Sequence, residues 1–398
     1  MTQKPSLRPG NPNFSCGPCA KRPGWSSDVA DRALLGRSHR SKEGKARLKL
    51  AIDETKRLLA LPAGFEVAIV PASDTGAFEL AMWNLLGPRG VDALAWESFG
   101  KIWLVDLVRE LRLPASRTFE APFGQLPNLA DVDFDNDVLF TANGTTSGVR
   151  PVSYDWIPAD RRGLTLVDAT SAIFAQPIDW AKADVVTYSW QKVLGGEAAH
   201  GMLILSPRAI ERLEGYTPQW PLPKLFRMKK GGKLDHSIFE GETINTPSML
   251  CVEDYLDALA WADRIGGIDA LHARADANAA ALYRWVDKSR WAAGLAADPA
   301  TRSNTSVCMT FADPAIASRP VDEQTKLSKA IVDLLAAEGV AYDIGSYRDA
   351  PPGLRIWTGA TVETADLTAL TPWLDGRMPR YWRRLDVRAL EDQRRSLQ

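Results

Sequence analysis

Cysteine and histidine are both scarce, with four of each in 398 residues. Four cysteines do not make a disulfide framework in a chain this long, which is large enough to bury a core of its own. Cys16 and Cys19 form a C-x-x-C pair, but no second pair follows, because Cys251 and Cys308 stand far apart. His39, His200, His236 and His272 are scattered too, so no metal site is expected. Charge of one sign is also missing. With 48 basic and 49 acidic residues the net charge is −1, which argues against a surface built for nucleic acid or anionic membrane. No run of 18 apolar residues predicts a transmembrane helix. The N-terminus has no apolar leader, and the expected location is cytoplasmic. Neither a Walker sequence nor G-x-G-x-x-G is present, so a nucleotide cradle lacks support.

What is present reads as α/β. Residues 1–40, rich in Pro, Gly, Asn and Ser, form an irregular N-terminal arm. Helical periodicity then runs from Lys42 to Leu61, and a strand from Phe65 to Val70 leads into a helix with Ser73 or Asp74 as its N-cap. A strand over Leu94–Trp96 and a helix over Ile102–Leu111 follow. Short apolar segments end at Thr141, Asp168, Trp190 and Ser206. Strands apolar on both faces predict a mainly parallel sheet covered by helices. The stretch from Gly215 to Glu242, with three prolines and a basic cluster, reads as a long functional or interface loop. Helices are expected from Pro247 to Arg264 and from Ile268 to Val286. A smaller α+β domain of strand, helix, strand and helix then follows. The division expected is arm 1–40, large domain 41–265 and small domain 266–398. The arginine run from Arg377 to Arg395 is interspersed with acids and reads as a solvated face.

Two strand ends carry the chemistry. Lys192 follows the apolar strand Val185–Trp190 and precedes the Gly195–Gly196 pair. Ligands of open α/β sheets bind at the carboxyl ends of strands, where an amine partly withdrawn from water becomes a usable nucleophile. Asp168, 24 residues upstream, ends another such strand. A carboxylate there can keep a pyridinium nitrogen protonated. Taken alone, the first is a surface lysine and the second a turn cap. Ser73-Asp74-Thr75-Gly76 lies between a strand and a helix N-terminus, where backbone N–H groups favour an anion.

The order of Ser38-His39-Arg40, Ser73-Asp74-Thr75, Asn143-Gly144-Thr145, Asp168, Ser189-Trp190-Gln191-Lys192 and Asn245-Thr246-Pro247 resembles the phosphoserine aminotransferases. These are class V enzymes of the pyridoxal phosphate-dependent fold type I. The resemblance runs from about Asn13 to beyond Arg355. It implies that Lys192 binds the cofactor, pyridoxal 5′-phosphate, and moves the substrate α-proton, while Asp168 faces the ring nitrogen. Phe99 would stack on the ring where the family usually has Trp, with Trp103 as the alternative, and Thr145 would bond the phenolic oxygen. The phosphate would rest on Asp74, Thr75 and Gln191, joined by Asn245 and Thr246 of a second subunit, which implies a homodimer with shared sites. Asp74 departs from the family's small residue, so its side chain is expected to point away from the phosphate. Arg355 would hold the substrate α-carboxylate, and His39, Arg40 and Arg348 its phosphate. Tyr347 stands where the family commonly has histidine.

The function implied is amino transfer from glutamate to 3-phosphohydroxypyruvate, in two half-reactions with ping-pong kinetics. Use of a phosphorylated hydroxythreonine in pyridoxine synthesis stays open. Alternatives are a serine– or alanine–glyoxylate aminotransferase, a dinucleotide-dependent dehydrogenase, and a ligand-binding α/β protein without catalysis.

Overall fold

The computed structural model describes residues 5–375, so the arginine run from Arg377 lies outside the described residues. Helix α1 (Lys42–Leu58) starts at Ser41, whose hydroxyl accepts the Gly44 N–H and satisfies a donor of the first turn. In chain order β1 (Glu66–Pro71), α2 (Ser73–Leu85), β2 (Val91–Ala95), α3 (Ser98–Val105) and β3 (Ser116–Glu120) follow. Next come β4 (Asp137–Thr141), β5 (Thr165–Asp168), β6 (Val185–Ser189) and β7 (His200–Leu205). These seven strands form one sheet in the order β1-β7-β6-β5-β4-β2-β3. Pairing is parallel from β6 through β3, and β7 alone runs antiparallel to both of its neighbours.

Alternation within each strand builds two cores. Val67 and Ile69 of β1, Phe140 of β4 and Tyr188 of β6 face one side, with α1 and α5 (Met249–Arg264) over them. Ala68, Val70, Leu139 and Leu166 face the other, under α2, α3 and α4 (Pro207–Gly215). A strand so enclosed reads as a continuous apolar run, which is why β4 to β7 were legible. Strand β3 was not foreseen. It is a half-exposed edge strand with the polar sequence SRTFE and has no apolar run to show.

The second sheet is smaller. After α6 (Gly267–Val286), strands β10 (Ala292–Gly294), β11 (Ser306–Phe311) and β12 (Gly353–Trp357) pair antiparallel in that order, with α8 (Val321–Ala337) packed against β12. A four-residue turn of helix, α7 (Pro314–Ala317), precedes α8.

Two expectations change. The helix expected over 102–111 is α3 continued by a π-helical turn, Asp106–Leu111. The stretch 215–242 is not structureless: it holds a hairpin, β8 (Lys229–Lys230) with β9 (Lys233–Leu234). It also packs on α2 of its own chain, where Trp220 Nε1 donates to the Trp83 carbonyl at 2.9 Å and Asn84 Nδ2 to the Phe226 carbonyl at 2.8 Å. The irregular N-terminal segment is packed into the molecule. Phe14 and Cys16 are fully buried, and the Phe14 carbonyl accepts the Trp357 N–H at 3.0 Å.

The amino ends of the strands are held by one buried acid. Asp184 accepts from Arg161 Nη2 at 2.9 Å, Arg208 Nη1 at 3.0 Å, the Thr165 N–H at 3.0 Å and Ser206 Oγ at 3.1 Å. The Arg161 side chain is only 3% exposed. Asp184→Ala leaves that charge buried without its partner, and we expect a loss of about 3–5 kcal/mol in urea unfolding. Because the network lies at the end of the sheet opposite Asp168, KM values should be unchanged.

Candidate active site

The carboxyl ends of β4, β5 and β6 bring Thr141, Asp168 and Thr187 into one row across three parallel strands. Above them opens a cavity of about 180 Å³ whose lining includes Asp74, Thr75, Phe99, Thr145, Asp168, Gln191 and Lys192. All seven are residues singled out from sequence. A larger cleft of about 250 Å³, bordered by Tyr154, Trp156 and Ile178, has no lysine, histidine or cysteine in its lining.

Lys192 is rigidly placed. The preceding Trp190 is buried and stacks on Tyr255 with ring centroids 4.6 Å apart and planes at 7°. Tyr255 in turn shares hydroxyl hydrogen bonds with Tyr188 at 2.8 Å and Thr55 at 2.7 Å. The lysine amine donates to the Cys16 carbonyl, so the N-terminal segment closes one wall of the cavity. Gly17 comes close to the amine, since a Cβ would fall 2.4 Å from Lys192 Nζ, and its φ of 151° is one that side chains rarely adopt. Cys19 lies near both Lys192 and Arg355, and burial pushes its thiol pKa well up. That marks a packed thiol and not a nucleophile.

Asp168 is fastened on both oxygens. Oδ1 accepts the Thr170 N–H at 3.0 Å, and Oδ2 accepts Trp103 Nε1 at 3.1 Å. Trp103 also packs against Phe78 at 4.7 Å and itself lines the cavity. Phe99 lines the cavity directly, with Tyr347 at 5.4 Å. Glu97, missed in the sequence, turns that corner: its carboxylate accepts the Gly100 N–H at 2.6 Å and the Thr146 hydroxyl at 3.0 Å. Burial raises its pKa to about 7. Thr145 donates to Ser171 at 2.6 Å. The signal for Glu97 was its place at a helix N-cap two residues before Phe99.

The α2 turn departs from expectation. Its N-cap is Ala72, in the left-handed region at φ 64° with no side-chain cap bond, and Ser73 follows at φ 55°. Two such non-glycine residues in succession are strained backbone of the kind found at binding turns. Asp74 therefore does not cap the helix. Its side chain is buried and faces Asp168, and burial first and the Asp168 charge second hold its pKa well above the usual carboxylate range.

The remaining candidates fall in two places. On β12, Arg355 is half-buried with an unpaired Nε, and its guanidinium lies 5.4 Å from the centre of the Tyr347 ring. Arg348 is exposed, 3.7 Å from Asp349 and 5.5 Å from the same ring. Tyr347 thus links both arginines to Phe99 at the cavity rim. His39 and Arg40 do not reach this cavity. They share a separate surface pocket with Lys45 and residues 241–243, next in sequence to Asn245 and Thr246, which also lie outside the cavity lining. Burial and Arg40 lower the His39 pKa. The neutral His200, lowered to about 4 by burial, accepts the Ser248 N–H at 2.9 Å and ties this segment to β7.

The residues at the cavity fit an aromatic phosphorylated cofactor. Gln191 Oε1, Thr170 Oγ1 and Ser189 Oγ are buried without a partner, and the α2 N-terminus opens at one end. No family model matches the chain. It is 56% identical over 372 residues to phosphoserine aminotransferase from Methanosarcina mazei, covering 94% of this chain and 98% of that protein. The chain belongs to the phosphoserine aminotransferase family. Its fold is that of a phosphoserine aminotransferase from Cytophaga hutchinsonii, with a TM-score of 0.77 at 23% identity over 92% of this chain and 99% of the other. A PLP-bound phosphoserine aminotransferase from Trichomonas vaginalis gives 0.72 at 18% identity, over 92% and 99%. As a phosphoserine aminotransferase the chain is a pyridoxal phosphate-dependent transaminase of fold type I. The readings as a dehydrogenase, a glyoxylate-type aminotransferase and a non-catalytic binding protein give way to this.

Proposed function

We propose that this phosphoserine aminotransferase moves the amino group of glutamate to 3-phosphohydroxypyruvate, giving O-phosphoserine and 2-oxoglutarate. The observation that carries the reading is the meeting of Lys192, Asp168, Thr145 and the α2 N-terminus in one cavity at the strand ends. Bound there, pyridoxal phosphate supplies the electron sink for breaking the α C–H bond. Lys192 supplies the amine that holds the cofactor and carries a proton to and from the substrate α-carbon. Asp168 would hold the ring nitrogen, Phe99 the ring and Thr145 the phenolic oxygen, while Thr75 and Gln191 would hold the phosphate. Keto acid leaves before the acceptor arrives, so the kinetics are ping-pong.

Residues 266–375 contribute Arg355 for the α-carboxylate and Arg348 at the rim. The grouping of His39 and Arg40 with residues 241–243, away from the Lys192 cavity, supports a homodimer. In it the pocket and Asn245–Thr246 of one subunit complete the site of the other. Residues 215–242 then steady the shared segment and do not act as a lid. A phosphorylated hydroxythreonine, as in pyridoxine synthesis, presents the same anionic groups and fits the same residues.

Arg40→Ala tests the phosphate assignment. KM for 3-phosphohydroxypyruvate should rise about tenfold or more, the worth of a charge-assisted hydrogen bond, with the glutamate KM within about twofold. Equal rises for both substrates would refute the phosphate role.

A further inference from the structure

Asp74 places a second buried carboxyl beside the one that faces the cofactor ring. Resting on the functional reading above, we propose that Asp74 is held as the neutral acid and shares its proton with Asp168, which makes it a positioning residue for the ring-nitrogen partner. Asp74 Oδ1 is buried and no hydrogen-bond donor reaches it. An ionised oxygen left so would be costly, whereas an O–H is itself the missing donor. The groups facing Asp74 are Asp168 of β5 and the side chains of Thr170 and Thr187. Both threonine hydroxyls stop short of hydrogen-bond geometry. Asp168 already accepts two N–H groups, from Trp103 and Thr170, whereas Asp74 Oδ1 accepts none. Of two adjacent carboxyls only one ionises readily, so the proton belongs on Asp74.

The helix dipole of α2 would favour an anion at this turn. Asp74 makes no cap bond to that turn, and a bound phosphate would occupy the same N–H groups and repel a second negative charge. Asp74 thus sits beside a phosphate site while carrying no charge, and its O–H adds a donor to the two N–H groups that hold Asp168.

The test is infrared spectroscopy of the full chain carrying aspartate ¹³C-labelled at the side-chain carboxyl. Spectra are taken above the Glu97 pKa of about 7, with and without pyridoxal phosphate. A carboxylic-acid carbonyl band that moves with the label is expected in the wild type and lost in Asp74→Asn. Absence of the band, or its survival in that variant, overturns the proposal. Asparagine keeps a neutral donor, so its affinity for pyridoxal phosphate should stay within about twofold, while Asp74→Ala loosens it about tenfold. Tightening by about tenfold in Asp74→Asn would show an ionised Asp74, and equal affinities for the two variants would refute the positioning role. Should the variants fail to fold, the labelled wild type still decides. A protein that shows the band but takes up no cofactor refutes the functional reading and with it the role toward the ring, leaving the shared proton supported.

Discussion

Lys192→Ala is expected to lose transamination by roughly 10⁴-fold, the scale on which a positioned nucleophile and proton carrier act. The cavity has no substitute. Cys19, the other reactive group beside it, is buried with its thiol pKa driven upward. The loss should come without unfolding, because Trp190 and Tyr255, not the lysine, anchor the segment. Only the Cys16 carbonyl loses a donor. Three measurements check this: product formation from glutamate and 3-phosphohydroxypyruvate, the visible band of lysine-bound cofactor, and circular dichroism. Wild-type circular dichroism with no visible band and no turnover is the expected set. Lys192→Arg should match it, since the guanidinium keeps the charge but is not deprotonated for attack. A variant keeping about a tenth of wild-type turnover would remove Lys192 from the chemistry.

The second large effect is expected at Asp168. Asp168→Ala should lower kcat by about 10²–10³-fold, the range for removing one preorganised electrostatic partner from a water-excluded site. Both oxygens are already fixed by Trp103 and Thr170, so the carboxylate meets developing charge without reorganising. Asp168→Asn keeps the size and loses the charge, and should fall nearly as far. Cofactor affinity should weaken in both variants, measured by titration of the visible band. A kcat within about threefold of wild type in Asp168→Asn would show that charge at this point is not used.

These expectations also show how much of the site was legible beforehand. Lys192 and Asp168 could be placed because each closes an apolar run, and in a parallel sheet the runs end on the same side. Thr145, Gln191 and Phe99 came with the order of motifs, and all line the cavity. Glu97 was invisible because one acid at a helix start reads as an ordinary cap, which it also is. Asp74 was misjudged for a related reason. Asp before a helix predicts an N-cap, but the left-handed Ala72 and Ser73 shift the cap back and swing Asp74 inward.

By itself, the sequence determined the α/β alternation, the enclosed strands β4 to β7 and the family. Each rests on local periodicity or on residue order, which survive without coordinates. Tertiary structure decided which candidates share a space. It joined Arg355 and Arg348 to Phe99 through Tyr347, set His39 and Arg40 apart beside residues 241–243, and faced two carboxyls in one buried place. Distances between residues a hundred positions apart depend on how the sheet and helices pack, and no local pattern encodes them.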